Sequence, residues 1–104
     1  MESNYTVAYK EGVIRVELAG RLDAVNAPAL QEELKQLAGK PVSKILFCAK
    51  DLEYVSSAGL RALIFAKQKI GVDAHAFLIA PQEGVLNVIK MSGLDNFMEI
   101  KDQE

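Results

Sequence analysis

Hydrophobic positions along this chain change period several times, and each change marks an element. Residues 5–10 and 13–18 read as two strands joined by a hairpin turn at Glu11 and Gly12. In the second, Ile14, Val16 and Leu18 alternate with Arg15 and Glu17, so one face is buried and the other is wet or paired. Gly20 is expected to end that strand. The spacing then becomes helical: Ala27, Leu30, Leu34 and Leu37 form one apolar stripe, with Glu32, Glu33 and Lys35 off it. Asn26 is placed to cap this helix, Pro28 is tolerated in its first turn, and Gly39, Lys40 and Pro41 stop it.

Residues 45–49 are apolar without a break, the pattern of a central strand covered on both faces. A second helical pattern follows and lasts to about Ile70. It carries Leu60, Leu63, Ile64 and Ile70, with Arg61, Lys67, Gln68 and Lys69 at polar positions and Gly71 as its stop. Residues 74–80 repeat the buried-strand pattern. A third helix bears Val85, Leu86 and Ile89 and ends at Ser92 and Gly93; residues 97–100 make a short last strand, with 101–104 fraying. The order β-β-α-β-α-β-α-β predicts one α/β domain over residues 1–104. Its sheet is expected to be mixed and mostly parallel, with an antiparallel first hairpin, and packed by helices.

Charge and composition narrow the function classes. Twelve basic residues against 14 acidic ones give a net charge of -2, with no basic run, which argues against direct contact with nucleic acid. Cys48 is the only cysteine; in its apolar run it reads as a small core residue, and a single thiol suits a reducing cytoplasm. The first residues, Met-Glu-Ser-Asn, are unlike a signal peptide, and no apolar run approaches the ~20 residues of a membrane span. These readings place the chain in the cytoplasm without membrane insertion.

Catalytic groups are scarce. The one histidine, His75, sits in an apolar strand and reads as a core-side residue far in sequence from any serine with a partner acid. There is no Gly-x-Ser-x-Gly elbow, phosphate-binding loop, dinucleotide fingerprint or Cys/His cluster. The expectation is therefore a protein without enzyme activity, metal or cofactor: something acted upon.

The chemistry concentrates where the central strand meets the second helix. Two adjacent hydroxyls, Ser56 and Ser57, precede the small residues Ala58 and Gly59. A serine there can cap the helix by accepting a backbone N–H. It can also be phosphorylated, since the positive helix end and its unpaired N–H groups favour an anion.

The run Asp51-Leu52-Glu53-Tyr54-Val55-Ser56-Ser57-Ala58-Gly59-Leu60 resembles the signature of the anti-sigma factor antagonist family, the bacterial STAS domains. Leu18-Ala19-Gly20-Arg21-Leu22-Asp23 and Met91-Ser92-Gly93-Leu94 match further family stretches in the right order, so the likeness spans nearly the whole chain. The resemblance implies a compact α/β domain and a partner switch. Unphosphorylated, such a protein binds an anti-sigma factor with serine kinase activity and frees a sigma factor. The kinase then phosphorylates the serine two places before the glycine, here Ser57, and a serine phosphatase reverses it. Ser56 stands where the family often has Asp, which leaves it as a competing acceptor or a cap. Asp23 matches the family's loop acid and is expected beside Ser57, either touching the partner or bonding its own turn. Ala58, Gly59 and Arg61 complete the expected partner surface. A different reading within the resemblance is a STAS accessory subunit of a lipid-transport ABC complex, docked through the same helix without phosphorylation.

Overall fold

A computed structural model describes residues 5–103; the four N-terminal residues read above as unlike a signal peptide, and Glu104, lie outside the described residues. Strands β1 (Tyr5–Lys10) and β2 (Val13–Leu22) form the predicted antiparallel hairpin, its turn made by Glu11 and Gly12, both at positive φ. Helix α1 (Ala27–Lys35), strand β3 (Lys44–Val55), helix α2 (Ser57–Phe65), strand β4 (His75–Ile79), helix α3 (Glu83–Met91) and strand β5 (Glu99–Lys101) follow. The sheet order is β1-β2-β3-β4-β5, with every pair after the first parallel. Fold class and element order are as the sequence predicts.

Several boundaries differ from expectation for physical reasons. Gly20 does not end β2. It takes φ +66 inside the strand, where the β2–β3 register shifts between Glu17/Ala19 and again between Gly20/Arg21. A glycine lets such a bulge form and lets the strand run on to Leu22. β3 likewise continues past Ala49 to Val55, with Leu52 and Val55 buried in an otherwise exposed stretch. Helix α1 begins at Ala27, and Asn26 gives it no side-chain cap. The second helical pattern is α-helical to Phe65 and then widens into one π-helical stretch, Ala66–Ile70. Lys67 Nζ donates to the carbonyls of Gly71 and Val72 at 3.3 and 3.1 Å, tying off the orphan acceptors at that end. A 3-10 turn, Leu94–Asn96, takes part of the stretch expected to precede the last strand. Lys101 does not fray, since its carbonyl accepts the N–H of Ala80 at 2.7 Å.

One apolar cluster holds the domain together. Ile14, Val16, Ile45, Phe47, Ala49 and Leu78 of the sheet meet Leu30 and Leu34 of α1, Ala62 and Leu63 of α2, and Val85 and Ile89 of α3. All three helices therefore lie on one side of the sheet. The prediction that residues 45–49 are covered on both faces is wrong: Leu46 and Cys48 are only half-buried on the other side. Cys48 is thus not a core residue, and His75, expected core-side, is exposed. No helix among the described residues is long and apolar enough to cross a membrane.

Candidate functional site

Leu22 and Val55 are register partners at the carboxyl ends of two parallel strands. The residues that follow them, Asp23 and Ser56, are therefore brought to the same edge, and the N–H of Ser56 donates to the carbonyl of Leu22 at 2.9 Å. The chain reverses there into α2. Ser56 has extended backbone (φ -93, ψ 178) and its Oγ accepts the N–H of Gly59 at 3.3 Å, the geometry of a helix N-cap.

Ser57 is the first residue of α2 and is exposed; its Oγ takes no hydrogen bond from or to the described residues. The two adjacent hydroxyls have divided the work: Ser56 caps and Ser57 stays available. Ser56→Ala is accordingly expected to destabilise the fold by about 1 kcal/mol, within the usual 0.5–2 kcal/mol for a lost cap. Ser57→Ala should cost less than about 0.5 kcal/mol, as at other surface positions. Urea unfolding of both variants checks the assignment, and equal losses would contradict it.

Gly59 is buried under the first turn of α2. A Cβ there would lie 2.5 Å from the carbonyl oxygen of Leu22 and 2.8 Å from Cγ2 of Val55. The glycine thus lets the helix start directly against the end of β2.

Asp23 builds that turn. Its Oδ1 accepts the N–H of Val25 at 3.0 Å, its Oδ2 accepts Arg21 Nε at 3.3 Å, and its own N–H donates to Asn26 Oδ1 at 2.8 Å. Asn26 Nδ2 donates in turn to the carbonyl of Arg21 at 2.7 Å, so Asn26 staples the loop instead of capping α1. The Val25 N–H, seconded by Arg21, holds the Asp23 carboxyl below its ordinary pKa. With the folded value depressed, the stability that the ionised carboxylate contributes is present above the unfolded value of ~3.9 and is lost as pH falls through the folded one. Asp23→Asn keeps an acceptor for Val25 but not the charge. Its stability deficit in urea unfolding is expected near pH 6 and should shrink as pH falls below the ordinary carboxylate value and through the lowered folded one; a deficit independent of pH would contradict the charge's role.

Two features of this edge escaped sequence reasoning. The Arg21 guanidinium lies 4.2 Å from the ring centroid of Tyr54, its register partner, and Tyr54 and Val25 are exposed. An exposed apolar Val25 in a polar turn was the available signal. The second feature is a groove of about 590 Å³ between α1 and α2, lined among others by Ala27, Pro28, Gln31, Ala58, Arg61 and Phe65. Ala58 and exposed Arg61 thus share a groove with α1, which contributes mainly residues beside its buried stripe of Ala27, Leu30 and Leu34. Among the described residues no three His, Cys, Asp or Glu side chains cluster as metal ligands.

Fold and edge together define a STAS domain, and the STAS family model matches residues 4–104: the chain belongs to that family. It is 27% identical over 101 residues to the anti-sigma-B factor antagonist of Bacillus subtilis, covering 96% of this chain and 92% of that protein. In structure it resembles an anti-sigma factor antagonist from Mycobacterium paratuberculosis, with a TM-score of 0.80, 23% identity, and 95% and 85% of the two chains covered. The Bacillus cell fate determinant SpoIIAA in its phosphorylated form shares the fold with a TM-score of 0.73 at 17% identity, over 92% and 89% of the chains.

Proposed function

We propose that this chain is an anti-sigma factor antagonist switched by phosphorylation of Ser57. In the unphosphorylated state it binds an anti-sigma factor that is also a serine kinase, through the edge formed by Asp23, Ser57, Ala58 and Arg61. The kinase transfers the γ-phosphoryl of ATP to Ser57 Oγ, the hydroxyl proton leaving to a kinase base and ADP departing; a serine phosphatase hydrolyses the ester and resets the protein. One observation carries this reading: of two adjacent hydroxyls at the α2 terminus, one is committed to the cap and Ser57 is exposed and uncommitted. The names of its relatives, and a neighbour in phosphorylated form, support it.

The mechanism needs no refolding. A phosphate adds about 1.5 to 2 negative charges to a surface that would be buried on docking. An imperfectly paired phosphate costing ~3 kcal/mol lowers affinity more than a hundredfold. In the free protein the same anion is tolerated, because it lies at the positive end of α2 in solvent. Nucleophilic catalysis by Ser57 itself finds no support. His75 opens β4 at the opposite end of the sheet from the β3 terminus that precedes Ser57.

Incubation with the cognate kinase and ATP is expected to add one phosphate, located on Ser57 by peptide mass spectrometry and absent from Ser57→Ala. Phosphate found mainly on Ser56 would overturn the division of roles, because that hydroxyl would first have to abandon the cap.

A further inference from the structure

The face of the sheet opposite the helices has no layer of its own among the described residues. Parallel strands are ordinarily covered on both sides, so an open face on four of them is unusual. Strand register lays its side chains in rows: Arg15, Leu46, Phe77 and Glu99 in one, Glu17, Cys48, Ile79 and Lys101 in the next. The centre is therefore apolar and the rim charged. Ile79 alone of the buried hydrophobic residues lies outside the main core, sheltered on this side.

We propose that this face is a second docking surface, and that its occupant is an acidic amphipathic helix of a partner protein. Beside a larger groove of about 470 Å³ lined among others by Arg15, Glu17, Cys48, Ile79 and Asp102, the face holds a pocket floored by Leu46, Phe77 and Ile79 between Lys44 and Lys101 that measures about 120 Å³. The pocket is below the ~300–1,000 Å³ of small-molecule sites and suits one apolar side chain. Lys44 Nζ and Lys101 Nζ lie 5.9 and 5.2 Å from the Phe77 ring centroid, held by the ring and not by any carboxylate among the described residues. Arg15, by contrast, has Glu17 at 3.1 Å. An incoming segment that fills the pocket with a leucine or phenylalanine and carries Asp or Glu one helical turn to either side satisfies both ammonium groups. The surface is separate from the Ser57 edge, so a partner here and a kinase there could be bound together.

The test is an NMR titration of the isotope-labelled full chain with a synthetic helical peptide bearing a leucine stripe flanked by glutamates. Saturable shifts are expected at Leu46, Phe77, Ile79 and Lys101. The double variant K44E/K101E should weaken binding more than about tenfold, with K44Q/K101Q between it and wild type. A peptide with lysines for the glutamates should not bind. Shifts in the α1–α2 groove instead, no saturation, or equal affinity for all variants would overturn the proposal. So would concentration-dependent shifts of these residues without peptide, which assign the face to a second copy. Binding to phosphatidylglycerol vesicles with no response to the peptide would assign it to a membrane and equally overturn it.

Discussion

Ser57→Asp is expected to weaken the proposed complex with the anti-sigma factor by at least about tenfold, because in that complex it sets one charge where docking removes water. The effect should fall short of phosphorylation, since Asp carries less charge and a smaller shape. Ser57→Ala is the matched control. It removes a hydroxyl that makes no hydrogen bond to the described residues and leaves the Ser56 cap in place. Its affinity should equal that of wild type, and it should stay bound when ATP is added. Isothermal calorimetry of the three forms reads this directly. An Asp variant that binds as tightly as wild type would remove the electrostatic basis of the switch.

Gly59→Ala is expected to cost the fold about 3 kcal/mol, at the upper end of overpacking penalties, and to lower Tm by about 10–20 °C. The neighbour that a methyl group meets first is a backbone carbonyl, that of Leu22, and not a side chain that could swing away. That carbonyl already accepts the Ser56 N–H, so relief requires α2 to lift off β2 and the cap to shift with it. Phosphorylation by the proposed kinase should slow in the same variant, because Ser57 moves with the helix. An unchanged Tm in calorimetry would show that the close approach is dispensable.

Much of this was legible in the chain because local rules and tertiary structure agree there. The β1–β2 hairpin followed from Glu11 and Gly12, and α1 from the spacing of Ala27, Leu30 and Leu34. That the residues after Leu22 and Val55 share one edge followed from parallel connections, which gather carboxyl-terminal loops there. What failed had a common cause. The run Lys50, Asp51, Glu53, Tyr54 is polar and exposed, yet β3 continues through it because β2 extends alongside and pairs with it past two register shifts. Neither strand announces this alone. Likewise the unbroken apolar run at 45–49 reports that both faces are apolar, not that both are covered; only the placement of all three helices on one side reveals Leu46 and Cys48 as an open face. Asn26 has the composition of a cap, but a nearer carbonyl on Arg21 and the Asp23 N–H compete for its amide and win. The groove between α1 and α2 is invisible in either helix separately.

The central claim is that a phosphate on Ser57 decides whether the partner is held. The most direct measurement titrates the anti-sigma factor, without ATP, with purified unphosphorylated chain and with chain phosphorylated on Ser57. The account predicts affinities more than a hundredfold apart, corresponding to about 3 kcal/mol, with the unphosphorylated form tighter. Equal affinities, or tighter binding of the phosphorylated form, would contradict it.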